Sequence, residues 1–175
     1  LSSLTPSPPQ LLRSLLNPAL LLPPVYVAAA SAPRRIVFAE GEDERVLRTA
    51  QALLEETPEV PILIGRPEII ETRCERAGLT IRPGRDVHVV DPEDDPRYRD
   101  YWETYLRLMQ RRGVTPDLAR AIMRTNTTAI GAVMVHRDEA DSMMCGTFGQ
   151  YLWHLNYVTQ LLGTKDLRPI GALSL

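Results

Sequence analysis

The stretch RIVFAEGEDERVLRTAQALLEETPEVPILIG, residues 35–65, contains the pattern that decides the fold. It begins with an apolar run over residues 35–39 that ends before Gly41, which is typical of a buried strand. Apolar residues then recur at intervals of three and four, and Asp43 is in position to cap the helix that this spacing predicts. A second apolar run, residues 60–64, closes the stretch. The pattern therefore predicts a strand–helix–strand unit.

The same alternation continues along the rest of the chain. Helices are predicted from Pro67 to Gly78, over the aromatic-rich residues 98–108, from Thr115-Pro116 to His136 with a break near Asn126, and over residues 151–162; strands are predicted over residues 87–90, 140–145 and 169–175. Strands separated by helices pair in parallel through right-handed crossovers. We therefore expect an α/β fold of three layers, helix–sheet–helix, with a mainly parallel sheet that is incomplete at its C-terminus.

Three regions of different character follow from this pattern. Residues 1–32 are rich in proline and contain a short Leu-rich turn, so they are interpreted as a linker with a short helix. Residues 33–168 are predicted to form the first lobe of the α/β domain, and residues 169–175 to start a second, truncated lobe. The Leu- and Ala-rich start mimics a secretory signal, but it lacks a basic beginning and its prolines interrupt any spanning helix. We expect no membrane partner and a cytoplasmic location.

Composition excludes several classes of function. The 175 residues carry 20 Lys+Arg against 22 Asp+Glu, a net charge of −2, so no basic excess indicates nucleic-acid binding. Cys74 and Cys145 lie far apart in different kinds of segment, which argues against a disulfide framework and for a reducing compartment. The three histidines form no ligand-spaced cluster with the cysteines. No metal site is expected.

The carboxyl edge of the predicted sheet is where chemistry is expected, because open parallel sheets bind ligands beyond the carboxyl ends of their strands. The acidic turn with Glu40, Glu42 and Asp43 would suit a general base or Mg²⁺. A helix N-terminus decorated with acids is the favoured interpretation, since acids there stabilise the macrodipole. Arg66 would be placed to hold a phosphate, although surface arginines at such turns are common.

The turn Gly146-Thr147-Phe148-Gly149 leads from a strand into a helix and is the best candidate for binding an anion. A plain tight turn explains it equally well. The neighbouring Cys145 is better explained as a small buried residue than as a nucleophile, and His154 as a packed or capping residue. The aromatic residues 98–105 are expected to pack in the core, with an oligomer interface as the alternative.

Several long blocks carry a resemblance to a known family: RRIVFAEGEDERVLRTAQ, PILIGRPEIIE, VVDPEDDPRYRDYW, RRGVTPDLAR and ADSMMCGTFGQY. In order and content they resemble the phosphotransacetylase-like region at the C-terminus of bacterial NADP-dependent malic enzymes, within the phosphate acetyl/butyryl transferase family. The resemblance implies the phosphotransacetylase fold, which is related to that of isocitrate dehydrogenases. Active members transfer an acetyl group between acetyl phosphate and coenzyme A in a cleft between two lobes.

The resemblance also implies that this copy is not catalytic. On a gapless alignment with active members, His154 replaces a threonine, Asn156 an arginine and Met109 a second arginine, while the base and further partners belong to a later part of the family. No catalytic residue is therefore predicted. The residues predicted to contact a ligand are Arg66, Gly146, Thr147, Gly149, His154 and Asn156.

The function implied is that of a regulatory and oligomerisation module that senses acetyl-CoA. The malic enzyme part of the same protein would bind NADP and a divalent metal and would decarboxylate malate oxidatively to pyruvate. Self-association is expected as well. The alternatives are a phosphate acetyltransferase and a purely structural oligomerisation domain.

Overall fold

The computed structural model describes residues 34–56 and 60–163. Of the two units into which the chain divides, Leu1–Arg34 and Arg35–Leu175, the second holds every helix and strand described here. The predicted linker over residues 1–32 lies outside the described residues. So do the predicted strand over residues 169–175 and Pro58, which was expected to end the first helix.

Strands and helices alternate along the described residues, with four strands and six α-helices. The strands are β1 (Ile36–Phe38), β2 (Ile62–Ile64), β3 (His88–Val90) and β4 (Ser142–Met144). The helices are α1 (Glu44–Glu56), α2 (Pro67–Ala77), α3 (Tyr98–Met109), α4 (Pro116–Thr125), α5 (Thr127–His136) and α6 (Tyr151–Leu162), and a 3₁₀ turn, Gln110–Arg112, follows α3. Each strand is shorter than the apolar run that predicted it, although Ala39 and Pro61, just outside the strands, still form backbone hydrogen bonds with Met144 and His88.

The four strands form one parallel sheet in the order β3-β2-β1-β4. Val37 on β1 pairs with Ile62 of β2 on one side and with Met143 of β4 on the other. Because successive residues of a strand face opposite sides, Val37 packs with α3 to α6 whereas Phe38 packs with α1 and α2. The predicted helix–sheet–helix arrangement with a parallel sheet is therefore confirmed.

Capping residues in the sequence mark the starts and ends of several helices at the predicted positions. The Asp43 carboxylate accepts a hydrogen bond from the Arg45 amide at 2.9 Å at the start of α1, and Thr115 Oγ1 accepts from the Leu118 amide at 3.3 Å in α4. Asn126 separates α4 from α5, and its side chain caps α5 by accepting from the Ala129 amide at 2.9 Å. Gly78 ends α2 in the left-handed conformation that glycine adopts without strain.

Gly41 brings the turn after β1 into direct contact with the end of β2. Its amide donates to the Ile64 carbonyl at 3.0 Å. A Cβ at this position would lie 2.8 Å from both the Ile64 carbonyl oxygen and Leu63 Cβ. The acidic turn can therefore approach β2 only because residue 41 has no side chain.

The described residues contain no helix that is at once long and apolar enough to cross a lipid bilayer.

We predict that Gly41→Ala lowers the free energy of unfolding by roughly 1–3 kcal/mol, because the added methyl group meets backbone atoms that cannot move independently. Gly131→Ala is the matched control, since its nearest neighbour is the flexible Met143 Cε at 3.3 Å. Alanine also has the higher helix propensity, by up to about 1 kcal/mol, so this second variant should be neutral or slightly stabilised. Chemical denaturation measures both, and equal effects of the two substitutions would contradict the close-approach argument.

Candidate functional site: a cleft at the carboxyl edge of the sheet

A cleft of about 380 Å³ lies beyond the carboxyl ends of β1, β2 and β3. The turns that follow these strands line it, together with the junction between α4 and α5 and with Phe148 from the turn after β4. Its carboxylates belong to Glu40, Glu42, Asp43 and Glu93, and its guanidinium groups to Arg66, Arg73 and Arg124. This cavity thus forms at the carboxyl edge of the sheet, where the sequence predicted a ligand site.

Two of the cleft carboxylates are held in ion pairs. Glu42 accepts from Arg66 Nε at 2.9 Å and Nη2 at 3.0 Å, and also from the Arg66 amide at 3.0 Å. The hydrogen bonds from the Arg66 guanidinium lower the pKa of Glu42, despite its partial burial. Asp43 accepts in the same way from Arg45, at 2.9–3.0 Å, and these bonds lower its pKa to about 2. Both groups are therefore weak bases at neutral pH, which favours their interpretation as parts of a helix N-terminus.

The third carboxylate, Glu40, is buried with 5% of its surface exposed. Its two oxygens accept from the Gly146 amide at 3.0 and 3.1 Å. The first amide of the Gly146–Gly149 turn is therefore bonded to a carboxylate of the protein itself. Binding of an external anion at that amide would require Glu40 to move.

His154 is hydrogen-bonded to the same turn. Its Nε2 lies 2.7 Å from the Phe148 carbonyl oxygen, and its Nδ1 lies 2.8 Å from Thr128 Oγ1. Because a carbonyl only accepts hydrogen bonds, Nε2 carries the proton, and in the neutral ring Nδ1 accepts from the Thr128 hydroxyl. A Cβ on Gly149, which has a φ of +89°, would lie 3.1 Å from His154 Nε2. The buried histidine positions the turn, in agreement with its interpretation as a packed residue.

The residues predicted to contact a ligand are not brought together as one set. Arg66 lines the cleft, but its guanidinium is bonded to Glu42. Gly146, Thr147 and Gly149 lie in the turn beside the cleft, and of that turn it is Phe148 that lines it. His154 is buried, and Asn156 is exposed on α6 with its side-chain oxygen bonded to Gln160 at 2.7 Å.

Met109 and Cys145 also lie away from the cleft lining. Met109, expected in place of an arginine, is 4% exposed and belongs to the core on the α3–α6 side of the sheet. Cys145 is half-buried, and burial, followed by the charge of Glu40, raises the pKa of its thiol. A thiol in this state is a poor nucleophile.

The aromatic face of α3 is part of the core. Tyr101 and Tyr105 are each 2% exposed. Arg124 stacks over the Tyr98 ring at 3.7 Å, and Arg120 stacks over Trp102 at 4.4 Å. Among the described residues, the three most exposed large apolar side chains lie around the start of α6, where Phe148, Tyr151 and Leu152 have 63–72% of their surface exposed.

Sequence reasoning missed Arg73 and Arg124 as cleft residues. Arg73 lies in the middle of α2 and Arg124 near the end of α4, positions at which an arginine normally signals only a solvated helix face. The predicted helix break near Asn126 was the one local sign that the end of α4 differs from an ordinary solvated helix end. Their common location depends on how the two helices pack on the sheet.

Comparison with known proteins identifies the family. Residues 20–173 match the family described as phosphate acetyl/butaryl transferase. The chain belongs to this family. In fold, this phosphate acetyl/butaryl transferase domain is similar to a phosphotransacetylase from Streptococcus pyogenes, with a TM-score of 0.77 and 22% identity. That likeness covers 86% of this chain and 44% of the other.

The relatives by sequence are malic enzymes and phosphate acetyltransferases. The domain is 56% identical to an NAD-dependent malic enzyme of Rhizobium meliloti over 157 residues, 89% of this chain and 20% of that enzyme. It is 45% identical to the NADP-dependent malic enzyme of Escherichia coli, again over 89% of this chain and over 21% of the enzyme. A phosphate acetyltransferase of Synechocystis is 34% identical over 86% of this chain and 21% of its own length. The chain thus spans about a fifth of the length of these relatives.

We predict that Asp43 makes the domain sensitive to acid. Its pKa is about 2 in the folded protein against an ordinary value of 3.8, so its contribution to stability is present above pH 3.8 and is lost as the pH falls towards 2. Asp43→Asn keeps a capping side chain but removes the charge. Wild type should melt at a higher temperature than this variant at pH 6, and the difference should shrink between pH 4 and pH 2.

Asp117→Asn is the control for this measurement. Asp117 also lies at the start of a helix and pairs with an arginine, but its side chain is 95% exposed. Its substitution should change the melting temperature far less than that of Asp43. A difference between wild type and Asp43→Asn that stays constant down to pH 2 would contradict the ion-pair argument.

Proposed function

We propose that this domain is the regulatory and oligomerisation module of a malic enzyme, that it binds acetyl-CoA, and that it does not catalyse acetyl transfer. The observation that carries the proposal is the ranking of the relatives by sequence identity to this chain. The chain is 56% and 45% identical to malic enzymes and 34% identical to a phosphate acetyltransferase over nearly equal lengths. A segment that resembles malic enzymes more than acetyltransferases is best explained as their phosphotransacetylase-like part.

The chemistry of the cleft supports a binding role over a catalytic one. Acetyl transfer to a thiol needs a base for the thiol in addition to cations for the departing phosphate, which the arginines of the cleft would supply. Among the described lining residues there is no serine, cysteine or histidine, and Glu42 and Asp43 are held ionised by arginines. A cleft that keeps its shape without a reactive group still binds a ligand and biases a conformational equilibrium.

The parent enzyme would decarboxylate malate oxidatively to pyruvate in the cytoplasm. A nicotinamide coenzyme and a divalent metal would be bound by its malic enzyme part. The family resemblance predicts NADP, and the names of the relatives support NAD equally, since the 56%-identical malic enzyme is NAD-dependent. Self-association is supported by the exposed apolar residues around the start of α6 rather than by the buried aromatic face of α3.

Two alternatives stay open. A phosphate acetyltransferase is supported by the family match and by the 34%-identical relative. A purely structural oligomerisation domain would share the fold without using the cleft.

We expect acetyl-CoA to stabilise the complete protein and to change its rate of malate decarboxylation. At 100 times the dissociation constant, the ligand should add roughly 2.7 kcal/mol to the free energy of unfolding. The measurements are a thermal-shift titration and a malate-dependent coenzyme reduction assay, each with and without acetyl-CoA. In parallel, the protein should form no acetyl-CoA from acetyl phosphate and coenzyme A.

The outcomes separate the three functions. An unchanged melting temperature at saturating acetyl-CoA would remove the sensing function and favour a structural domain. Turnover of acetyl phosphate at an enzymatic rate would establish the acetyltransferase alternative. A higher melting temperature with acetyl-CoA, without turnover of acetyl phosphate, supports the proposal.

A further inference from the structure

Two arginines reach into the cleft from different helices and are anchored on backbone carbonyls. Arg73 extends from α2, and its Nη1 donates to the Glu42 carbonyl in the turn after β1. Arg124 extends from the end of α4, and its Nη1 donates to the carbonyls of Pro92, at 2.9 Å, and of Glu93 in the turn after β3. Each guanidinium is therefore held at the carboxyl edge without being bonded to a carboxylate.

Both arginines keep donors for a further partner. Among the described residues, the Nε and Nη2 groups of Arg73 and Arg124 donate to no acceptor of the protein. The ring of Tyr98, 3.7 Å from the Arg124 guanidinium carbon, restrains the orientation of that group. A guanidinium that is already oriented loses less conformational entropy when it binds an oxyanion.

Most of the other charged side chains of the cleft already have hydrogen-bond partners within the protein. Glu42 is paired with Arg66 and Asp43 with Arg45. Glu40 is buried under the Gly146 amide. Of the described charged side chains that line the cleft, Arg73, Arg124 and the exposed Glu93 are the ones that these contacts do not involve. The accessible part of the cleft therefore presents two guanidinium groups that are not hydrogen-bonded to a carboxylate, together with one carboxylate.

We infer that Arg73 and Arg124 together clamp the phosphate or diphosphate group of a ligand in this cleft. Guanidinium groups match phosphate oxygens through paired, charge-assisted hydrogen bonds. A cavity of about 380 Å³ lies within the range of small-molecule sites. The inference rests on the proposed function, since it assigns the phosphate-bearing end of the proposed effector to these two side chains. Glu93 lies in the same cleft and opposes the anion by charge repulsion.

The test compares four variants of the complete protein by isothermal titration calorimetry. Arg73→Gln and Arg124→Gln should each weaken binding by about tenfold or more, because each removes a charge-assisted contact. Glu93→Gln should tighten binding severalfold, a gain that a misfolded variant cannot produce. Arg111→Gln makes the same charge change at an exposed arginine that does not line the cleft, and it should leave binding unchanged.

Three probes are titrated into each variant: acetyl-CoA, inorganic pyrophosphate and S-acetylpantetheine, which lacks phosphates. The clamp predicts that the first two probes lose affinity in the arginine variants and weaken with rising salt. S-Acetylpantetheine should bind wild type and variants alike, at the same low affinity. Equal acetyl-CoA affinity in wild type and in both arginine variants would overturn the clamp and leave acetyl-CoA sensing intact.

Other outcomes separate the clamp from the identity of the effector. Arginine-dependent pyrophosphate binding without acetyl-CoA binding would support the clamp and overturn acetyl-CoA as the effector. Wild-type protein that binds neither acetyl-CoA nor pyrophosphate would overturn both proposals. Loss of affinity in Arg111→Gln as large as in the cleft variants would also overturn the clamp, because it would indicate a general effect of net charge.

Discussion

The buried carboxylate of Glu40 joins the ends of two neighbouring strands, and the geometry of the cleft depends on this contact. Strands β1 and β4 pair in parallel, and Glu40 at the end of β1 accepts the amide of Gly146 at the end of β4. A buried charge is costly unless hydrogen bonds satisfy it. Displacing the turn after β4 would leave this carboxylate without its amide partner. The turn is therefore coupled to the centre of the sheet, and His154 secures its other end through the Phe148 carbonyl.

The remaining charges of the cleft follow from this arrangement. The turn after β1 also carries Glu42 and Asp43, whose ion pairs with Arg66 and Arg45 tie it to α2 and α1. In these contacts the two carboxylates hold the turn in place. Among the described residues that line the cleft, Arg73 and Arg124 are the arginines that bond to backbone carbonyls rather than to carboxylates. These two side chains are the ones to which we assign the proposed clamp.

Much of the fold was predictable because its signals are local. Helix boundaries lie within one or a few residues of the groups that cap them. These groups are the side chains of Asp43, Thr115 and Asn126 and the glycine at position 78. The candidate site was predictable only in its location. Arg66 follows a strand directly and was found, whereas Arg73 lies two turns into a helix and carries no local sign of its role.

The sequence by itself determined the order of strands and helices along the chain, the parallel pairing and the edge of the sheet at which the cleft forms, because hydrophobic periodicity and turn residues act over a few positions. Only the tertiary structure decided which charges cancel and which stay available. Glu42 meets Arg66 across 24 residues of chain, and Glu40 meets Gly146 across 106. Such pairings depend on which strands lie side by side and on how the turns at their ends pack together, and residue spacing does not encode either.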